Sequence, residues 1–160
     1  MKILFLDFEG VLHPFSVRFN EDLELALEYD DKSLFLFCWT PILESILNYE
    51  DPERQIKIIL STSWAHRYGW EDAAKRLTPD LELRVVARTN GYNLPRGFQI
   101  LKCVEDMNIA KKNWLAIDDD DYLWPTYLLD HLVKTDDKLG LSEISTQQYL
   151  RKKLKELLLP

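Results

Sequence analysis

Short apolar runs of strand length alternate with segments of helical periodicity along the whole chain. This alternation is typical of an α/β domain built around a central, mostly parallel sheet. Most of the apolar runs are nearly continuous, as in strands that helices cover on both faces. Five core strands are predicted, at residues 2–7, 56–61, 83–87, 114–118 and 131–135. With 160 residues, the chain fits one domain over residues 1–160.

Four segments have the apolar spacing of amphipathic helices. The first begins at Thr40-Pro41, where a capping residue precedes a proline suited to the first helical position. The second runs from about Trp64 to Leu77 and the third from about Gly97 to Met107. The last begins between residues 142 and 145 and continues to the leucines near the end of the sequence.

Residues 15–37 interrupt this alternation. Two apolar runs, 15–19 and 34–37, flank the acidic and polar stretch 21–32. The pattern predicts a small β-hairpin or flap inserted after the first strand. No segment is long enough for a large cap domain, so we expect an open edge of the sheet.

Composition narrows the class of protein. Hydrophobic residues make up 46% of the chain and aromatic ones 12%, which excludes a disordered protein. A net charge of −7 argues against a protein that coats nucleic acids. The two cysteines have no metal-binding spacing, and we see no export signal or apolar run of membrane-spanning length. We therefore expect a cytoplasmic protein with no membrane partner.

Acidic and hydroxyl side chains follow three of the predicted strands. Asp7 and Glu9 follow the first, Ser61 follows the second, and residues 118–121 follow the fourth with four consecutive aspartates. The carboxyl ends of parallel strands meet at one edge of the sheet, where ligands bind. Clustered carboxylates repel one another unless a cation neutralises them, and oxygen ligands favour Mg²⁺. A metal beside an anion-binding Ser61 indicates phosphoryl transfer through an aspartyl-phosphate.

Four segments, in order, resemble the motifs of the haloacid dehalogenase (HAD) superfamily. Asp7-Phe8-Glu9-Gly10-Val11-Leu12 is similar to its first motif, and Ile58-Ile59-Leu60-Ser61 to its second. Arg96 stands where the basic third motif is expected, and Trp114-Leu115-Ala116-Ile117-Asp118-Asp119 resembles the acidic fourth. The segments around Glu9, Ser61 and Asp119 also resemble the small HAD domains of multi-domain RNA-repair proteins. The resemblance implies a HAD-like Rossmannoid three-layer sandwich with a five-stranded sheet.

The resemblance also implies roles for these residues. Asp7 would be the nucleophile and a metal ligand, and Glu9 the acid/base, with its backbone carbonyl on the metal. Ser61 and Arg96 would hold the phosphoryl group, and Asp118 and Asp119 would complete the Mg²⁺ shell. The further substrate contacts expected are Gly10, Thr62 and His13.

Several of these assignments have structural alternatives. Arg88 and Lys102 compete with Arg96 as the basic motif, and His13 fits a turn before Pro14 as well as a substrate contact. Ser61 would also serve as a helix cap. The tryptophans 64, 70 and 124 fit packing better than base stacking, and His66 and Arg67 would face either substrate or solvent.

One departure from the HAD pattern affects the expected activity. The family usually has Asp where this chain has Glu9, and a carboxyl displaced by one C–C bond can cost about a hundredfold in rate. The leading prediction is a Mg²⁺-dependent phosphatase with an open site for a bulky phosphorylated substrate, a nucleic-acid phosphate end included. The alternatives are a catalytically impaired binding or regulatory module and a phosphotransferase. The sequence indicates neither the substrate nor the oligomeric state.

Overall fold

The computed structural model describes residues 1–19, 25–28 and 31–160. Its central feature is a five-stranded sheet in which every neighbouring pair is parallel. The strands are β1 (Lys2–Leu6), β4 (Ile56–Leu60), β5 (Val85–Arg88), β6 (Trp114–Asp118) and β7 (Leu132–Lys134), in the spatial order β5-β4-β1-β6-β7. All five predicted core strands are confirmed, and the chain has the HAD-like α/β fold expected of it.

Helices cover both faces of this sheet. They are α1 (Thr40–Glu50), α2 (Ser63–Tyr68), α3 (Trp70–Ala74), α4 (Pro79–Glu82), α5 (Arg96–Asp106) and α6 (Ile144–Leu158). Three 3₁₀ segments, Lys111–Asn113, Thr126–His131 and Gly140–Ser142, complete the connections. Strand β1 shows the layering, because Leu4 and Leu6 enter the core beneath α1 and α6 while Ile3 and Phe5 face α5.

The helix predicted between Trp64 and Leu77 is interrupted. Gly69, at φ +85°, separates α2 from α3, and α4 follows as a separate short helix. The apolar positions still share one side, because Trp64, Ala65, Ala73 and Ala74 are all buried in the same core. Periodicity therefore identified the buried face but not the break in the backbone.

Residues 15–37 contain the predicted hairpin, but its second strand differs from the one that the sequence suggested. Strand β2 (Val17–Phe19) pairs antiparallel with β3 (Leu25–Leu27). The second apolar run, 34–37, forms no strand: its last two residues lie in a turn, Phe35 is exposed, and Leu34, Leu36 and Phe37 pack partly buried against the core. Residues 20–24 and 29–30 of the predicted flap lie outside the described part of the chain.

Among the described residues, none of the helices combines the length and the apolar character needed to cross a membrane.

Candidate active site

Three carboxylates come together where β1 and β6 end. Asp7 directly follows β1, Asp118 is the last residue of β6, and Asp119 follows it. One carboxylate oxygen from each lies within 4.8 Å of the others. Asp7 and Asp118 are buried and Asp119 is partly buried. The predicted convergence of these acids at one edge of the sheet is confirmed.

Gly10 allows the loop after β1 to pass close to this cluster. Its φ is +69°, and a Cβ atom at this position would lie 2.3 Å from Asp119 Oδ2. Both observations require glycine here. The Thr135 hydroxyl, just beyond β7, donates a 2.7 Å hydrogen bond to the Gly10 carbonyl and fixes the loop.

Arg96 supplies the positive charge of the cluster. It is the first residue of α5, with Nη1 3.4 Å from Asp7 Oδ1 and Nε 3.6 Å from Asp118 Oδ2. Of the three candidate bases, only this one faces the acids. Lys102 pairs with Asp106 on the exposed side of α5, and Arg88 contacts His66.

When all three carboxyl groups of this cluster are ionised, their negative charge exceeds the positive charge of Arg96. Burial raises the pKa of Asp7, while Arg96 and a hydrogen bond from Thr62 act in the opposite direction. Burial and the neighbouring Asp7 raise the pKa of Asp118 well above its usual value and that of Asp119 to about 7. One arginine thus faces three carboxyl groups that are costly to ionise together.

The donor set fits Mg²⁺. All three side chains offer oxygen, the ligand type that this hard cation prefers. Among the described residues, the buried Asp118 Oδ2 finds no hydrogen-bond donor and accepts only the longer ionic contact of Arg96. A divalent cation would satisfy that oxygen and neutralise the excess charge.

Glu9 is held by a tryptophan. Its Oε1 accepts a 3.1 Å hydrogen bond from Trp64 Nε1, and Trp64 itself is buried at the start of α2. Partial burial raises the pKa of Glu9, and the Trp64 hydrogen bond lowers it in part. The sequence indicated only a packing role for Trp64, because nothing in its spacing relates the indole N–H to a residue 55 positions earlier.

Ser61 and Thr62 lie beneath the surface of the site. The Ser61 amide donates to the Leu6 carbonyl at 2.9 Å, which joins β4 to β1, while its buried Oγ has no partner among the described residues. Thr62 Oγ1 accepts from the Trp64 amide at 3.4 Å and caps α2. The next residue, Ser63, lines the open cavity instead, and the sequence did not single it out.

His13 does not reach the site, contrary to the predicted substrate contact. Its side chain is fully buried, with Nδ1 accepting from the Phe37 amide at 3.2 Å and the ring packed edge-on against Phe37 and Trp64. Burial lowers its pKa to about 4, so the ring is neutral. It is therefore the turn histidine of the alternative interpretation, folded inward before Pro14.

Other candidates are placed as follows. Trp124 is buried and packs against Gly97 of α5, which confirms its packing role, and Trp70 also packs against the core. Asp120 and Asp121 do not start a helix: residues 122–123 form a turn, and Asp121 pairs with Lys134 at 2.8 Å. Asp120 faces the open site.

Two neighbouring cavities open at this edge of the sheet. The first, the acidic cavity, has a volume of about 780 Å³ and is bordered by Asp7, Glu9, Arg96 and Asp119. The second, the side cavity, measures about 630 Å³ and is bordered by residues of the hairpin, of α2 and of the end of β5. Glu9, Ser63 and Tyr92 line both.

Comparison with known proteins agrees with this geometry. The sequence profile of a family described as the HAD domain in Swiss Army Knife RNA repair proteins matches residues 3–145. No curated protein and no solved structure matches the chain. The matched region spans the sheet, the acidic cluster, Glu9 and Arg96, and HAD domains are generally hydrolases of the phosphatase type. The chain therefore belongs to the family of HAD domains found in Swiss Army Knife RNA repair proteins.

Proposed function

We propose that this chain is a Mg²⁺-dependent phosphatase that hydrolyses phosphomonoesters through an aspartyl-phosphate on Asp7. The observation that carries the proposal is the position of the Asp7 carboxylate. It borders an open cavity, within 4.8 Å of Asp118 and Asp119 oxygens and 3.4 Å from Arg96 Nη1. A nucleophile, its metal ligands and a cation that attracts phosphate are thus in contact.

The first half-reaction transfers the phosphoryl group to the protein. An Asp7 carboxylate oxygen attacks the phosphorus atom, and the bond from phosphorus to the ester oxygen breaks. Glu9 donates its proton to that leaving oxygen. The raised pKa of Glu9 supports this role, because it increases the fraction of protonated acid available at neutral pH.

The second half-reaction regenerates the protein. Glu9, now ionised, removes a proton from a water molecule that attacks the phosphorus of the aspartyl-phosphate. The bond between phosphorus and the Asp7 oxygen breaks, inorganic phosphate leaves, and both carboxyl groups return to their starting states.

The residues proposed to hold Mg²⁺ are Asp7, Asp118, Asp119 and the backbone carbonyl of Glu9. When bound, the cation supplies positive charge that allows a phosphoryl dianion to approach three carboxylates. Arg96 would contribute further positive charge beside Asp7 and Asp118. Ser61, Thr62 and Gly10 are proposed to hold the phosphoryl oxygens, and the unpartnered Ser61 Oγ supports this assignment.

A bulky substrate suits the site, because the hairpin is the only insertion over it among the described residues. The name of the family links its members to RNA repair, and we propose a nucleic-acid phosphate end as the natural substrate. Transfer of the phosphoryl group to an acceptor other than water is the related alternative. The main alternative is a catalytically impaired binding or regulatory module, which Glu9 in place of the usual Asp favours.

The test is phosphate release from an aryl phosphate and a panel of alkyl and nucleotide phosphates. We expect release with Mg²⁺ that falls to the buffer background in EDTA and in Asp7→Asn. Asp106→Asn, which removes an exposed carboxylate on α5, is the matched control and should retain wild-type activity.

Each alternative gives a different result in this assay. Release that persists in Asp7→Asn or in EDTA contradicts the mechanism. Phosphate recovered on an added alcohol instead of in solution identifies a phosphotransferase. No turnover of any ester, with Mg²⁺ present and the protein folded, indicates the binding module.

A further inference from the structure

The side cavity is cationic, in contrast to the acidic cavity beside it. Arg18 of β2, Arg67 of α2 and Arg88 of β5 all line it, and Glu9 is the single acidic residue among its lining groups in the described part of the chain. Three guanidinium groups thus surround a recess of about 630 Å³ in a protein of net charge −7. Charge of this sign in one concave site attracts an anion.

Two of these arginines have no acidic partner within the chain as described. No carboxylate of the described residues lies within 4.0 Å of the guanidinium of Arg67 or Arg88. Arg88 instead donates to His66 Nδ1, and burial, followed by the charge of Arg88, lowers the pKa of His66. Arg18 pairs with Glu28 at 2.9 Å on an exposed surface. As far as the described residues go, the charges of Arg67 and Arg88 are therefore not paired with a carboxylate.

The rest of the wall is apolar and largely aromatic. Tyr68, Trp64 and Tyr92 contribute rings, and Val17 and Leu25 of the hairpin add aliphatic side chains. The rings of Tyr92 and His66 lie 5.0 Å apart, tilted by 49°. Such a wall suits a flat or apolar group, next to which the arginines would hold charge.

The position of Glu9, which lines both cavities, indicates where the leaving group would lie in the proposed reaction. Asp7 and Arg96 line only the acidic cavity, where the phosphoryl group would be transferred, whereas Glu9 lines both. The group that donates a proton to the leaving oxygen must face the leaving group. On the proposed function, the leaving group therefore extends past Glu9 into the side cavity.

We propose that the side cavity binds the leaving group of the substrate, and that this group carries a second phosphate or phosphodiester held by Arg67 and Arg88. The substrate class is thus an organic ester with two phosphoryl anions separated by a ring-bearing body. This inference rests on the proposed phosphatase activity only for the statement that the leaving group extends into the side cavity. The anion site formed by Arg67 and Arg88 does not depend on that activity.

The test compares adenosine 5′-monophosphate with adenosine 3′,5′-bisphosphate, and fructose 6-phosphate with fructose 1,6-bisphosphate. We expect kcat/KM to favour each bisphosphate over its monophosphate at least tenfold, and the adenosine pair to react faster because of the aromatic wall. Each charged hydrogen bond contributes about 1.5–3 kcal/mol, so Arg67→Gln or Arg88→Gln should lower the preference about tenfold or more. Added salt should also lower the preference for the bisphosphates.

A matched control variant tests whether the loss of one positive charge is by itself enough to change the preference for bisphosphates. Arg54→Gln removes an exposed arginine that pairs with Asp80 and lines neither cavity, and it should keep the wild-type preference. Calorimetry of adenosine 3′,5′-bisphosphate binding to the Asp7→Asn variant gives a readout that does not need turnover, and we expect this binding to weaken when Arg67→Gln or Arg88→Gln is added.

Failure of this inference differs from failure of the proposed function. Equal kcat/KM for mono- and bisphosphates, or a preference unchanged in Arg67→Gln and Arg88→Gln, overturns the inference and leaves the phosphatase intact. Absence of turnover with arginine-dependent binding of the nucleotide supports the anion site and overturns the phosphatase. Absence of both turnover and binding overturns both.

Discussion

At the scale of single residues, Glu9 is the position where this chain departs from the first motif usual in the HAD superfamily. The longer side chain reaches Trp64, whose indole N–H fixes its carboxyl at 3.1 Å. An aspartate would be one C–C bond shorter and would lose this contact. The hydrogen bond from Trp64 therefore holds the Glu9 carboxyl at a position that lines both cavities.

We predict that Glu9→Gln lowers kcat/KM for alkyl phosphates by about 10²–10⁴-fold, the range of general acid catalysis. Glutamine keeps an oxygen for Trp64 but has no proton to give to a poor leaving group. Nitrophenyl phosphate, whose leaving group needs no proton, should lose much less. Steady-state kinetics on both esters measures the difference, and equal losses would show that Glu9 has a structural role only.

His13 predicts a pH dependence of stability. Its pKa of about 4 in the folded state lies below the value of 6.5 in the unfolded chain. The unfolded state therefore binds a proton first, so this contribution is complete above pH 6.5 and declines as the pH falls towards 4.

From pH 7 to pH 4.5 we expect the free energy of unfolding of the wild type to fall by about 2–3 kcal/mol more than that of His13→Asn. Asparagine keeps an acceptor for the Phe37 amide but does not titrate. Urea unfolding at a series of pH values measures both curves. Parallel curves would mean that the buried ring does not resist protonation.

At the scale of elements, a buried ion pair fixes the start of β4 and β5, at the end of the sheet opposite the site. Arg84 Nη1 lies 2.6 Å from Asp51 Oδ2, and both side chains are almost fully buried. Asp51 follows α1 and also accepts the amides of Gln55 and Ile56, each at 2.9 Å. One carboxylate thus joins a helix end to two strands.

We predict that Asp51→Asn costs about 3–5 kcal/mol of unfolding free energy, because it leaves Arg84 buried without a counter-charge. Asp72→Asn is the control: its pair with Lys75 is exposed to solvent, so the unfolding midpoint should stay close to that of the wild type. Urea unfolding compares the two variants. Equal midpoints for them would contradict the structural role of the buried pair.

The secondary-structure elements also show which features of the fold and of the site could be predicted from the sequence. All five strands, the faces of the main helices and the meeting of Asp7 with Asp118 and Asp119 followed from apolar runs and the parallel topology. The break at Gly69 did not, because the apolar spacing continues across it. The return strand at Leu25–Leu27 was missed because residues 21–32 are mostly acidic and polar.

Contacts between side chains that lie far apart in the sequence could not be predicted either. The pairing of Glu9 with Trp64 and the inward fold of His13 depend on how the hairpin segment packs on α2. The side cavity collects Arg18, Arg67 and Arg88 from three separate elements. Neither spacing nor composition places such residues together, whereas strand ends are placed together by the sheet itself.

At the scale of the whole molecule, the net charge of −7 is concentrated at one edge. Six of the 27 acidic residues are Asp7, Glu9 and Asp118 to Asp121, and without them 21 acids face 20 bases. The acidic cavity and the cationic side cavity are neighbours on that edge. On the proposed function, an anionic substrate would be attracted by the side cavity, and bound Mg²⁺ would reduce its repulsion by the carboxylates.

The central claim is that Asp7 carries the phosphoryl group during turnover. Hydroxylamine attacks acyl phosphates, so quenching the reacting protein with it should convert the phosphorylated Asp7 into a hydroxamate that peptide mass spectrometry detects. We predict this modification on the Asp7 peptide with substrate and Mg²⁺ present, and none without substrate or in Asp7→Asn. Phosphate release with an unmodified Asp7 peptide, or a hydroxamate on Asp118 or Asp119 instead, would contradict the account.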